Sequence, residues 1–135
     1  MATMLAKFTI KSGCEQAYED IQSWLYDQTH ANEPTILRYE FFRGQAEREY
    51  IGLLSFDDFR TFMVHQTSDY HETFSAKFRD LVEDSSFDWI DPLPGAANLP
   101  ATKAQDLPAD ASELARQYEK MLGINIPKWW PSAEK

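Results

Sequence analysis

The sequence reads as an α+β domain: a four-stranded antiparallel sheet with two helices on one face, in the ferredoxin-like order βαββαβ. Three features lead there. Four short β-prone runs (4–10, 35–43, 49–56 and 85–92) frame two longer stretches of helical periodicity, turn residues separate the runs, and 135 residues suit one domain. A chain of this length buries roughly two thirds of the surface its unfolded form exposes, so one core forms without disulfide staples.

From the N-terminus, MLAKFTI (4–10) is the first strand. Ser12 followed by Glu15 is the pattern of a capping box, and it opens a helix over about 13–29. Ala17, Ile21, Trp24, Leu25 and Gln28 recur at three- and four-residue steps and give that helix its inner face. Asn32 to Pro34 breaks it. TILRYEFFR (35–43) alternates Leu37, Tyr39 and Phe41 against Arg38, Glu40 and Arg43, as a strand does. Gly44 with QAER makes a hairpin turn, and EYIGLLSF (49–56) returns as the third strand.

Asp57 or Asp58 caps the second helix. Phe59, Phe62, Met63, Gln66, Tyr70, Phe74 and Phe78 continue at helical spacing to Leu81, which predicts one long helix containing a bend. SSFDWIDP (85–92) is the fourth strand, ended by Pro92 and Pro94. Ile51, Leu53, Phe41, Phe42, Trp89 and Ile90 put apolar side chains on both faces of the sheet, so a second subunit is expected over the face the helices leave open. Residues 1–92 form the folded domain and the proline-rich 93–111 an extended arm. In the remaining 112–135, Ser112 opens a short helix, Gly123 closes it at C′, and a tail with Trp129 and Trp130 packs on its own subunit or on the partner.

Composition narrows the function. Thirteen Lys and Arg against 22 Asp and Glu give a net charge of -9 without a basic run, which argues against nucleic acid and anionic membrane as partners. A single cysteine, Cys14, leaves no internal disulfide, and neither a signal sequence nor a stretch of about 20 apolar residues is present, so a cytoplasmic protein is expected. Aromatic residues make up 14% of the chain, more than packing alone usually requires, and a pocket for a flat organic molecule is one use for them.

Residues 56–71, FDDFRTFMVHQTSDYH, set two histidines on an otherwise apolar helical face. Phe56, Asp58, Phe62, His65 and Ser68 follow the pattern FxDxxxFxxHxxS, and with the βαββαβ order they resemble the antibiotic biosynthesis monooxygenase family of dimeric α+β barrels over about residues 4–92. Two positions depart from that pattern. Leu54 stands where the family often has Glu, and Asp69-Tyr70 stands where it has Pro-His, with His71 one residue late.

The resemblance implies an oxidoreductase, a homodimer that oxidises a quinol, phenol or anthrone with O₂ and needs neither metal nor flavin. Such an aromatic reacts with O₂ once deprotonated, so the protein must accept a proton, hold the ring and exclude water. A histidine suits the first task near neutral pH. His65 is expected as the base, with Asp69, four residues on and about 40° around a continuous helix, orienting it. Trp24, Tyr39, Tyr50, Phe62, Ser68 and His71 are expected around the substrate.

Plainer roles stand beside these. His65 and His71 are six residues apart, about 240° around one helix, which disfavours a shared metal site, and either serves equally as a structural histidine. The Phe59, Phe62, Phe74 and Phe78 stripe serves as core, and Trp129 and Trp130 as docking anchors. A non-catalytic small-molecule binding or pathway accessory domain fits the same pattern. Haem-degrading relatives resemble one another in an Asn on the first strand and a Trp on the third, and this chain has neither.

Overall fold

The computed structural model describes residues 1–131. Its elements are β1 (Ala2–Ile10), α1 (Glu15–Asn32), β2 (Arg38–Arg43), β3 (Glu49–Phe56), α2 (Phe59–Gln66), α3 (Asp69–Leu81), β4 (Val82–Ile90) and α4 (Glu113–Leu122). Every strand pairing is antiparallel and the order across the sheet is β2-β3-β1-β4, the ferredoxin-like arrangement.

Alternation along the strands decides which side chains meet the helices. Met4, Ala6, Phe8 and Ile10 of β1 and Tyr50, Leu54 and Phe56 of β3 are buried, and they form one core with Tyr18, Ile21 and Leu25 of α1, Phe59, Phe62 and Met63 of α2, and Phe74 of α3. Each such large apolar side chain contributes about 1.5–3 kcal/mol through its removal from water. Leu5, Phe42, Ile51, Leu53 and Ile90 lie on the opposite face, where Phe42 is half exposed.

Several local features differ from the sequence reading. Gly13 takes a left-handed φ of 85° inside a turn closed by Cys14 N–H to the Lys11 carbonyl, so Cys14 becomes the N-cap of α1 and the Ser12–Glu15 capping box does not form. The helix then presents Tyr18, Ile21, Gln22, Leu25 and Thr29 inward and leaves Ala17 and Trp24 outside. It also runs further than expected, to Asn32; Pro34 disfavours helical backbone at Glu33, which becomes the C-cap.

The expected long second helix is two helices. Thr67 ends α2, and Ser68 caps α3 by accepting from the His71 N–H. Of the two candidate caps, Asp57 and Asp58, it is Asp58 that caps α2, accepting from the Thr61 N–H at 2.7 Å. Gly123 follows α4 with φ at -60°, not in the left-handed form that a C′ glycine usually takes. Its value is space: a Cβ there would lie 2.7 Å from the Glu119 carbonyl oxygen.

The segment between β4 and α4 is pinned to the domain. Thr102 is fully buried, its hydroxyl donates to the Ile90 carbonyl, and its N–H donates to Asp91 Oδ1 at 3.0 Å. Further on, Leu107 enters the core and Arg60 of α2 donates to Gln105 Oε1 and the Asp106 carbonyl. The α4 helix packs on α2, and Trp130 is buried while Trp129 stands 83% exposed.

Candidate functional site

A cavity of about 100 Å³ lies between the sheet and the helices, walled by Leu25, Tyr39, Leu54, Phe62 and Phe74 together with the imidazoles of His65 and His71. Both histidines come from the α2–α3 break. On a continuous helix they would point apart, but the turn at Thr67 and Ser68 redirects the chain and sets their ring centroids 5.0 Å apart. Ser68 holds this turn: its hydroxyl donates to the His65 carbonyl at 2.7 Å and accepts from the His71 N–H at 3.2 Å.

His65 is only 1% exposed, and its Nδ1 is 2.7 Å from Oε2 of Glu33, the residue that ends α1. The Tyr70 hydroxyl donates to the same carboxylate oxygen. Burial, with the hydrogen bond and charge of Glu33 adding to it, pushes the Tyr70 hydroxyl up to about 12, so it keeps its proton. A carboxylate that accepts from both groups orients the imidazole with Nδ1 as donor, which leaves the lone pair of the neutral ring on Nε2. The other Glu33 oxygen, Oε1, is buried without a hydrogen-bond partner among the described residues.

His71 has a different environment. It is 8% exposed, and its buried Nδ1 has no hydrogen-bond partner among the described residues. Burial, reinforced by the charge of His65, pushes its imidazole down to about 3, so it is neutral near pH 7. The cavity therefore offers one histidine backed by a carboxylate and one neutral histidine with an unused nitrogen. A group that loses a proton and a group that donates or accepts a hydrogen bond would be met side by side.

Of the residues singled out from sequence, Tyr39, Phe62, His65 and His71 line this cavity. Tyr39 is buried with its ring centroid 5.1 Å from that of His65, and burial pushes its hydroxyl pKa up. Asp69 is not the partner of His65. The break lies between them, Asp69 is exposed in the first turn of α3, and Glu33 takes that place. Ser68 is a helix cap, not a wall residue.

Trp24 is 38% exposed in a surface groove between α1 and α3, beside Asp20 and Lys77. Tyr50 faces the helices from the far end of β3, where its hydroxyl donates to Glu19 at 2.9 Å in a separate groove. Sequence reasoning missed Glu33 and Tyr70. The Glu33-Pro34 pair marks a helix end, but nothing local says that this end meets α2. Among the described residues, no group of three or more His, Cys, Asp or Glu is placed to hold a metal ion, and no helix is long and apolar enough to cross a membrane.

The sequence profile of the antibiotic biosynthesis monooxygenase family matches residues 1–77. Solved structures share the fold. A crystal structure of an antibiotic biosynthesis monooxygenase superposes with a TM-score of 0.64 at 18% identity, covering 70% of this chain and 100% of that one. A protein from Pseudomonas aeruginosa gives 0.62 at 19% identity, over 68% of this chain and 93% of that one. A candidate antibiotic biosynthesis monooxygenase from Caulobacter crescentus gives 0.64 at 19% identity, over 68% of this chain and 89% of that one. Among curated proteins none matches the sequence.

Proposed function

Because the chain belongs to the antibiotic biosynthesis monooxygenase family, we propose that the His65 cavity is the active site of a cofactor-independent monooxygenase acting on an electron-rich aromatic, of quinol, phenol or anthrone type, with O₂. The observation that carries this reading is the buried Glu33–His65 pair at 2.7 Å, with His65 on the wall of a mostly apolar cavity. An acid–base unit in such a place is poised to take a proton from a substrate, not from bulk water.

In this reading His65 Nε2 accepts the proton of a ring hydroxyl or of the acidic ring carbon. Glu33 stabilises the imidazolium that results, and the donated bond from Tyr70 keeps the carboxylate fixed while it does so. The neutral His71 offers its unused Nδ1 to a second substrate oxygen. Tyr39, Phe62 and Phe74 hold the ring and exclude water. The aromatic anion reacts with O₂ and the substrate itself supplies all four electrons: one oxygen atom replaces two hydrogens, so a phenol or quinol leaves as a quinone and an anthrone as an anthraquinone, and those two hydrogens leave with the other oxygen as water.

The protein acts as a homodimer in the cytoplasm in this account. Support for the dimer is the sheet face carrying Leu5, Phe42, Ile51, Leu53 and Ile90, and support for the compartment is a single cysteine in an acidic chain. A second reading, a domain that binds an aromatic without oxidising it, is favoured by one observation: the family's frequent Glu is replaced by Leu54, which makes that part of the cavity wall apolar.

Oxygen uptake separates the two. Metal-free protein is mixed with a panel of quinols, anthrones and catechols, and spectra are taken before and after adding haem. Saturable uptake without added cofactor is expected. A thermal shift from an aromatic without uptake would replace the enzyme with a binding domain, and a Soret band with haem turnover would replace it with a haem degrader.

A further inference from the structure

The cavity is closed on one side by a residue that lies far outside the βαββαβ unit. Among the described residues, Leu122, the last residue of α4, is the sole cavity-lining residue from beyond β4, and it lies outside the family match at 1–77. Its position is fixed on several sides. The Trp89 indole N–H donates to the Leu122 carbonyl at 2.8 Å, and the Trp89 ring packs edge-on against Phe62 of the cavity wall with centroids 5.0 Å apart. One turn back in α4 the Tyr118 hydroxyl donates to Glu72 of α3, and Ala115 is buried in the core. These few contacts set where the Leu122 side chain stands while the cavity is empty.

Size gives this contact its meaning. A dry apolar cavity of about 150 Å³ accommodates benzene. At about 100 Å³ this cavity is somewhat smaller than one aromatic ring needs and far too small for a fused system. The strands and α1 to α3 form a continuous core that resists expansion, whereas α4 rests on a short list of contacts and ends in an extended tail.

We propose that Leu122, presented by α4, is a specificity-determining residue that limits the substrate to a single unfused aromatic ring. The inference rests on the reading of this cavity as the substrate site, and it narrows that reading from quinols, phenols and anthrones in general to one-ring phenols and quinols. Small relaxations of α4 admit one ring. A second fused ring would have to occupy the space of the Leu122 side chain.

Binding tests this without requiring turnover. Phenol and 1-naphthol are titrated by calorimetry into the full-length protein, into Leu122→Ala, into Trp89→Phe, and into Met121→Ala as a control on the exposed side of the same turn. Wild type is expected to bind phenol at least tenfold more tightly than 1-naphthol. Leu122→Ala should shift that ratio at least tenfold towards 1-naphthol, with phenol little changed, and Met121→Ala should not shift it. Trp89→Phe keeps an aromatic ring, loses the bond to α4, and should move the ratio in the same direction by less, which keeps the test open if Leu122→Ala fails to fold.

Equal binding of the two probes by wild type, an unchanged ratio in both variants, or no binding of either probe by any form would overturn the proposal. Oxygen uptake is then measured with hydroquinone. Size selection that moves with Leu122 but is unaccompanied by uptake would sustain the role of α4 and remove the monooxygenase reading, so the two failures are distinguishable.

Discussion

Glu33 and His65 are separated by 32 residues, yet the carboxylate oxygen of one lies 2.7 Å from Nδ1 of the other at the meeting of two helix ends. Neither residue acts alone in the proposed chemistry. His65→Ala should lower kcat/KM by at least about a hundredfold, the usual contribution of such a proton transfer. Glu33→Gln should lower kcat roughly tenfold or more while leaving KM nearly unchanged, because the ring stays in place but loses the charge that stabilises its imidazolium. Steady-state oxygen uptake measures both, and a Glu33→Gln enzyme with wild-type kcat would remove Glu33 from the mechanism.

Asp69 gives the opposite outcome. It is exposed, and the α2–α3 break separates it from the His65 ring that it would orient on a continuous helix. Asp69→Asn should leave turnover within about twofold and cost no more than the few tenths of a kcal/mol that an acidic first-turn residue contributes to α3. The comparison of Asp69→Asn with Glu33→Gln in one assay identifies which carboxylate backs the base.

His71 makes stability depend on pH. Its folded-state pKa is pushed down to about 3 from an ordinary 6.5. Below about pH 6.5 the unfolded chain takes up a proton that the folded chain refuses, so this contribution is complete above that pH and is lost as pH falls towards 3. The loss reaches about 2 kcal/mol at pH 5. Urea unfolding of wild type and His71→Gln at pH 7 and pH 5 checks it: the wild type should lose more stability than the variant over that interval, and parallel losses would mean that His71 is not held neutral.

Gly52 supports the cavity from the sheet side. It pairs with Phe41 across β2 and β3, and a Cβ on it would lie 2.7 Å from the Phe41 ring and 3.2 Å from Leu54 Cδ1. Both neighbours line the cavity. Gly52→Ala should therefore destabilise the fold by about 1–3 kcal/mol, as overpacking does, and push Phe41 into the binding space. A lowered Tm together with weakened phenol binding is the expected pair of results; a lowered Tm with unchanged binding would place the strain elsewhere.

The sheet and the helix count up to α1 were legible in the sequence because period-two strands and a 3.6-residue helical stripe are local signals. The break in the second helical stretch was harder to read. It contains neither Gly nor Pro, and the phenylalanine stripe continues through it. A signal was present nonetheless: Ser68 followed by Asp69 and Glu72 is a cap with an acidic first turn, the mark of a new helix. Without the break, His71 is displaced around the helix and Asp69 becomes the apparent neighbour of His65. The Glu33 contact, like the arrival of Leu122 at the cavity, depends on tertiary packing between distant segments, which no local pattern carries. Tyr50 and Trp24 lie away from this cavity for simpler reasons: Tyr50 is on the inner face of β3 but towards its far end, and Trp24 points out from the buried face of α1.

Thr102 has a consequence for how α4 competes with a ligand. Its buried hydroxyl and N–H bind the chain to Ile90 and Asp91, roughly halfway along the stretch that leads to Glu113. This divides one long tether into two shorter ones, and each halving of a flexible loop lowers its closure cost by about 0.6 kcal/mol. Together with Leu107 in the core and the bonds from Arg60 to Gln105 and Asp106, this anchor keeps α4 close to the cavity if its own contacts open. A Thr102→Val chain would keep every residue that touches the cavity and still shift α4 towards its undocked population, so the range of rings admitted would be governed from a position that no ligand reaches.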